Sequence, residues 1–432
     1  MTTPPGSAAA PDSAPDAASD PATGGSGQRR TLVLLLATGL LLIGLNLRMG
    51  VASVGPLLDE IRADLSLSSS VASLLTTIPV LAFGVFAFLT PILTRSIGLH
   101  RLLGAAMLVL AGGILLRLHP SMAALFGGTV IVGAAIAVGN VAMPAAIKQD
   151  FAAHAGLMMG LYSMILGLGA AMASGLSVPL SHATDGDWRL ALAVWAVPAL
   201  LALVVWLPQL RRGPAPRRSP VADDAEFGEP TFRRLLTDRV AVSVTLLMGL
   251  QSLSFYTMLT WVPTMFRDAG MSAAQAGWML SFSAFPGIVA SSITPGLARR
   301  IRPLWMPVAV AVACTSGAYA GMLAAPAQAP YLWMVFLGLG QGASLSLALT
   351  YIVWRSPDIH HTGHLSTLAQ GVGYLIAALG PVTVGALHTA TGSWTLPIVG
   401  LGVLLVAQLV AGVAASKDRH VLRPAAVPAP AE

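Results

Sequence analysis

From Arg29 onward the chain is a succession of long apolar runs separated by short polar breaks, and this alternation limits what it can fold into. Twelve runs fall at about residues 31–58, 69–94, 100–118, 121–148, 155–181, 188–208, 239–264, 273–298, 303–324, 329–355, 364–388 and 394–416. At a rise of about 1.5 Å per helical residue, each can cross roughly 30 Å of hydrocarbon. A spanning barrel would instead show short segments of alternating polarity. Of the 432 residues, 55% are hydrophobic and 10% charged, whereas soluble domains carry about 25% charged residues. The chain reads as an all-α polytopic membrane protein with twelve transmembrane helices.

The sequence outside the runs is informative in a different way. Residues 1–28 are mostly Pro, Ala, Ser, Gly and Asp without periodicity, and a disordered tail is expected because so little apolar surface can be buried there. This tail lacks the basic start and apolar core of a signal peptide. The single cysteine, Cys314, lies in an apolar run, so it forms no intramolecular disulfide and is expected to be an inert buried thiol. A formal charge of +6 does not point to nucleic acid, because the basic residues sit at the ends of the runs.

Their distribution over the breaks sets an expected orientation. With the N-terminus inside, nineteen Lys and Arg fall on the cytoplasmic side, among them Arg95, Lys148, Arg211, Arg299, Arg355 and Lys417. Only four, Arg62, Arg117, Arg189 and Arg267, fall on the other side. Both termini are therefore expected in the cytoplasm of a cell-membrane protein. The remaining basic residue of the 24 is Arg48, the one left inside a run.

The Pro-rich break at 211–238, which carries charges of both signs, divides the runs six and six, giving bundles at 29–208 and 239–416, a linker at 209–238 and a tail at 417–432. The halves repeat. Pro56 and Pro79 answer Pro263 and Pro286 at an offset of 207, and Gly139-Asn140 answers Gly340-Gln341 at 201. Gly186, Trp188 and Leu190 answer Gly392, Trp394 and Leu396 at 206. An even number of helices per half keeps the repeats parallel, the two-half arrangement of the major facilitator superfamily.

Within that superfamily the chain resembles the cyanate and 2-nitroimidazole permeases. The elements that carry the resemblance are Asn46-Leu47-Arg48 followed by SVGPLLDEIRADL, GNVAMPAAIKQDF at 139–151 and GLQSLSFYTMLTWVP at 249–263, with GLGQG at 338–342 and LSTLAQGVGYLIAALGP at 365–381. They cover both halves in order. Met49 stands where the family usually has proline, and Gln149 where an arginine is usual. The break PILTRSIGLHR keeps Arg95, Gly98 and Arg101 of the superfamily's loop motif but lacks its acid.

An arginine at a helix centre costs roughly 2.5–3.5 kcal/mol on insertion scales, so Arg48 needs a cavity, a partner or a ligand to compensate it. It could brace backbone carbonyls or snorkel outward. The reading favoured here is that it faces a central cavity and holds an anionic or strongly polar solute with its planar fork of donors. The acidic residues all fall in tails, breaks or helix ends, so Arg48 has no evident counter-charge and the usual proton carrier is missing.

Other polar groups embedded in the runs complete the candidate substrate site: Asn46, Asn140, Gln251, Tyr256, Gln341, Gln370 and Tyr374. Each could equally serve a helix-to-helix hydrogen bond. Gln370 and Tyr374 are four apart and share a helix face. Trp261 could wall the cavity or sit at the membrane interface. The stretches GLYSMILGLGAAMASG (160–175) and LGLGQG (337–342) are small-residue packing faces. His360, His361 and His364 have metal-like spacing but read as a solvated loop.

No HExxH motif or paired acids occupy the runs, which argues against a membrane-embedded enzyme. The pieces outside the membrane are too short for a receptor or scaffold. A permease is expected, importing a small anion or exporting a small polar heteroaromatic compound. It would act as a monomer in the lipid bilayer, with a small-molecule substrate, no nucleic acid, no metal and no cofactor.

Overall fold

The computed structural model describes residues 23–211 and 231–422. Most of the expected N-terminal tail, residues 1–22, lies outside the described residues, as do 212–230 of the linker and 423–432. Among the described residues the regular structure is helical throughout, with no strand.

The N-terminal half contains α1 (Thr23–Ala52), α2 (Ser69–Ala87, continuing as Thr90–Ile97), α3 (Leu99–Leu116), α4 (Met122–Asp150), α5 (Ala155–Ala183) and α6 (Trp188–Ala193, continuing as Ala196–Trp206). The C-terminal half contains α7 (Arg239–Asp268), α8 (Ala273–Ala298), α9 (Met306–Ala324), α10 (Pro330–Trp354), α11 (Ile359–Thr391) and α12 (Thr395–Ser416). Eleven spans are straight enough to be counted singly, and the bent pair in α2 makes twelve. α1 begins eight residues before the expected start at 31, adding Thr23–Arg30 to the helix.

Side-chain caps in the polar breaks set several helix starts. Ser68, Ser121, Asp187, Asp238, Ser272 and Asp358 each accept backbone N–H groups at the first turn of α2, α4, α6, α7, α8 and α11. Prolines explain the breaks that apolar periodicity could not show. Pro56 and Pro91 each end a helix four residues upstream, at Ala52 and Ala87, because the ring clashes with that carbonyl and cannot donate to it. The result in α2 is a 57° bend where a continuous helix over 69–94 was expected. Pro198, inside the second segment of α6, cannot donate to the carbonyl of Val194, where the helix is interrupted.

The repeat seen in the sequence recurs as geometry. Trp188 Nε1 donates to Asp64 at 3.1 Å in the first half, and Trp394 Nε1 donates to Asp268 at 2.9 Å in the second. Asp64 ends the short helix Leu58–Asp64 that follows α1, and Asp268 ends α7, so each bond ties the far end of a half's first span to the start of its last helix. Arg189 pairs with Asp64 at 2.9 Å, while His388 approaches Asp268 at 3.8 Å.

Apolar side chains also cover the outside. Val403, Val406 and Val410 on α12 are 65%, 61% and 65% exposed, one stripe that suits lipid and not water. Between the halves, α2 packs on α11 and α5 on α8, with α4 also against α11. Glycines permit the closest approaches. A Cβ at Gly160 would stand 2.8 Å from the Ser292 carbonyl, and one at Gly371 would stand 2.9 Å from the Phe88 ring.

The end where α6 finishes and α7 begins carries most of the Lys and Arg and is called the basic end. Here Lys148 of α4 donates to the Val353 and Ser356 carbonyls at 3.2 and 3.0 Å. A cation from one half thereby caps the carbonyl end of α10 in the other. Phe88 meets Phe232 edge to face at 5.4 Å. These contacts between halves lie from the middle of the helices towards the basic end.

Candidate solute-binding site

Arg48 is four residues from the end of α1 and lies between the buried side chains of Leu47 and Met49. Its Nη1 donates to Tyr256 Oη of α7 at 2.7 Å, from one half to the other. Its side chain stays partly accessible. Since it reaches the opposite half, that accessible surface faces the space between the halves and not the lipid. Among the described residues no carboxylate pairs with it; Tyr256, Tyr374 and Tyr162 are the groups in electrostatic reach.

Aromatic rings from both halves surround the guanidinium. Tyr256 stands edge-on to Phe255 at 5.3 Å and to Tyr374 of α11 at 6.3 Å. Tyr374 in turn meets Phe83 of α2 at 5.3 Å. A rigid aromatic wall beside a planar cation is suited to flat, electron-rich solutes.

The neighbouring polar cluster follows from a single proline. Pro144 lacks the N–H that would bond the carbonyl of Asn140 four residues earlier. That carbonyl accepts instead from Gln370 Nε2 of α11 at 2.8 Å, and the same nitrogen lies 2.9 Å from Ser366 Oγ. Tyr162 Oη donates to Asn140 Oδ1 at 3.2 Å. Asn140 Nδ2 is buried without a partner, so this cluster keeps one unused donor.

Arg48, Tyr256, Tyr374, Asn140 and Gln370 are thus brought together at the junction of α1, α4, α7 and α11. Gln341, partly accessible on α10, reaches the Ser254 carbonyl at 3.4 Å, two residues from Tyr256. Asn46 and Gln251 are engaged elsewhere. Asn46 Nδ2 donates to Leu42 and to the Pro198 carbonyl of α6, bracing α1 inside its own half. Gln251 bonds Met248 and Ser252 within α7. Trp261 donates to the Pro381 carbonyl at 2.9 Å and leans on Trp394 towards the end opposite the basic one.

Tyr162 and Phe83 belong to the cluster but are absent from the sequence-based site. The signal for Tyr162 was a phenol in mid-span, masked by the glycines of GLYSMILGLG. At the basic end His361 bonds Asp358 at 2.7 Å and His364 bonds the His360 carbonyl. Among the described residues no three His, Cys, Asp or Glu side chains converge on a metal position. Arg117, counted from the sequence on the outer side at the end of the run 100–118, is buried in the N-terminal half.

Comparison with known proteins bears on this architecture. The sequence pattern of the Major Facilitator Superfamily matches residues 40–381. The uncharacterized transporter YycB of Bacillus subtilis (strain 168) is 38% identical over 389 residues, covering 90% of this chain and 95% of that protein. The 2-nitroimidazole transporter of Escherichia coli (strain K12) is 35% identical over 410 residues, covering 92% and 98%. The cyanate transport protein CynX of the same organism is 32% identical over 362 residues, covering 82% and 90%. Among solved structures, the proton:xylose symporter XylE shares the fold with a TM-score of 0.71 at 15% identity, covering 91% of this chain and 98% of that one. The transporter FucP in its outward conformation has a TM-score of 0.65 at 14% identity, covering 87% and 97%. The chain is a multi-pass membrane transporter of the major facilitator superfamily, in the family of the cyanate and 2-nitroimidazole permeases.

Proposed function

We propose that this protein is a secondary transporter that moves a small planar anion of the cyanate type, or a small polar heteroaromatic molecule, across the cytoplasmic membrane by alternating access. The observation that carries the reading is the contact of Arg48 with Tyr256 across the two halves, with no carboxylate among the described residues to neutralise the cation. A solute placed there touches both halves at once. Its binding can therefore bias their relative position, which alternating access requires. Binding, release and rocking complete the cycle without covalent chemistry, and one chain carries a whole site, which agrees with a monomer.

The basic end is the cytoplasmic side in this reading, on the strength of nineteen Lys and Arg against four. With the halves in contact from Arg48 towards that end, solute access is from outside. The aromatic wall of Tyr256, Tyr374, Phe83 and Phe255 supports a second reading, export of heteroaromatic or drug-like compounds from the same site.

A thermal-shift panel on purified protein tests both, with sodium cyanate and 2-nitroimidazole run beside matched salts and solvents. A ligand that binds the folded state raises its melting temperature. Stabilisation by cyanate or by 2-nitroimidazole that disappears in Arg48→Lys supports the site. Stabilisation by neither, or equal stabilisation in the variant, refutes it.

A further inference from the structure

Arg117 is an arginine buried in the N-terminal half, and the proposed solute site makes no use of it. It follows directly on α3, yet its side chain turns inward and is 1% exposed. Nη1 donates to the Gly50 carbonyl of α1 at 3.0 Å, two residues beyond Arg48. That acceptor is free for a local reason. As α1 tightens before Pro56, the Val54 N–H bonds the Val51 carbonyl at 3.2 Å instead of reaching back to Gly50.

The rest of the guanidinium is unused. Nε and Nη2 are both buried without a partner. These two nitrogens share one edge of the planar group, and their parallel N–H bonds form the fork that grips two oxygens of an oxyanion or one halide. The idle donors therefore make up one complete binding edge. Arginine stays protonated in proteins, so the buried group is a cation, and among the described residues no carboxylate pairs with it. The carbonyl end of α3 offsets a part of its desolvation cost, since helix-end charges are partial and the buried charge is whole. Gly128 lets α4 close over the stem, since a Cβ there would stand 2.9 Å from Arg117 Cγ.

We infer that the Nε–Nη2 edge of Arg117 is a binding site for one small monovalent anion, of the size of chloride or nitrate, enclosed by α1, α3 and α4. The anion neutralises the cation. The loaded arginine keeps its hold on Gly50, so occupancy fixes the turn of α1 that follows Arg48. The site is separate from the solute site and does not depend on what the transporter carries.

The test is the melting temperature of the purified full-length protein in sodium chloride, bromide or nitrate against sodium gluconate at equal ionic strength. Wild type and Arg48→Gln are measured together, so that anions at the solute site are taken out of the readout. In Arg48→Gln the small anions are expected to raise the melting temperature by roughly 3–6 °C in a saturable way. Adding Arg117→Gln to that background abolishes the rise. Arg117→Lys, which keeps the charge but lacks the fork, reduces it by at least half and serves if the glutamine variant does not fold. Crystals grown in bromide show an anomalous peak within hydrogen-bond distance of Arg117 Nε and Nη2. Equal melting temperatures in all salts, or a rise that persists undiminished without Arg117, overturns the inference and leaves a water molecule on this edge.

Discussion

Arg48 and Tyr256 are 208 residues apart in the chain and 2.7 Å apart between Nη1 and Oη. One bond thus joins the first helix of each half at the level of the proposed site. Arg48→Lys keeps the charge but loses the planar fork. It is expected to fold and to lose at least tenfold in solute affinity or flux. Tyr256→Phe removes the acceptor and is expected to cost about 1.5–3 kcal/mol of apo stability, the range for hydrogen bonds to charged groups. Chemical unfolding and transport in reconstituted vesicles check the pair; a lysine variant with wild-type flux would remove Arg48 from the site.

Lys148 holds the carbonyl end of α10 through Val353 and Ser356. Lys148→Met keeps the stem and drops the donor, so the basic end is expected to open more often. In a Cys314→Ser background, a single cysteine at Ser366 reports this by alkylation from the basic side. The rate is expected to rise at least about threefold, a population shift of under 1 kcal/mol. An unchanged rate would show that the cap does not hold the halves.

The Asn140 carbonyl accepts from Gln370 because Pro144 cannot donate to it. Pro144→Ala supplies a competing N–H from within α4. Gln370→Ala removes the present donor. The two changes act on one acceptor, so their effects on stability are expected to be non-additive by about 0.5–1.5 kcal/mol. Additivity within error would mean that the carbonyl has another partner.

Asp358 caps α11, with Oδ1 accepting the His361 N–H at 2.9 Å and Oδ2 meeting the His361 ring at 2.7 Å. Burial raises its carboxyl pKa, but the hydrogen bonds and positive charges of His361, with His360 beyond, outweigh burial and hold it down to about 2. A carboxylate depressed in the folded state contributes stability above its unfolded pKa of about 3.9, and this is lost as pH falls towards the folded value. Asp358→Asn keeps a capping side chain. Its melting temperature is expected to lie below wild type at pH 6, with the gap narrowing as pH falls below about 4 and closing only below about pH 2, under the folded value. A gap that stays constant across this range would exclude the charge as its source.

Reporters fused within the linker near Ser219 and at both termini are expected to read cytoplasmic. An external signal from the linker would break the six-plus-six arrangement.

The lengths of the apolar runs, their polar caps and the internal repeat made the helices legible, since each rests on local composition. The bend of α2 was not. It depends on where the Pro91 ring meets the Ala87 carbonyl, and other prolines, such as Pro144, sit inside unbroken helices. The site was legible as a list of embedded polar groups and not as a direction. Asn46 lies two residues from Arg48 but turns to Pro198 of α6, because successive residues on a helix point about 100° apart. Gln251 was drawn into its own helix by Met248 and Ser252. Arg117 escaped because charge counting assigns a residue at a run's end to the nearer membrane face, while a long side chain can return into the bundle.

The paired bonds Trp188–Asp64 and Trp394–Asp268 sew each bundle shut on itself at the end away from the linker. Neither crosses to the other bundle. Motion that opens and closes the central space can then leave both seams untouched, each half turning as a solid body. In the proposed alternating-access cycle wear falls on the interface alone: the Lys148 cap, the Gln370 bond and the Arg48–Tyr256 contact are what would be undone and remade each time.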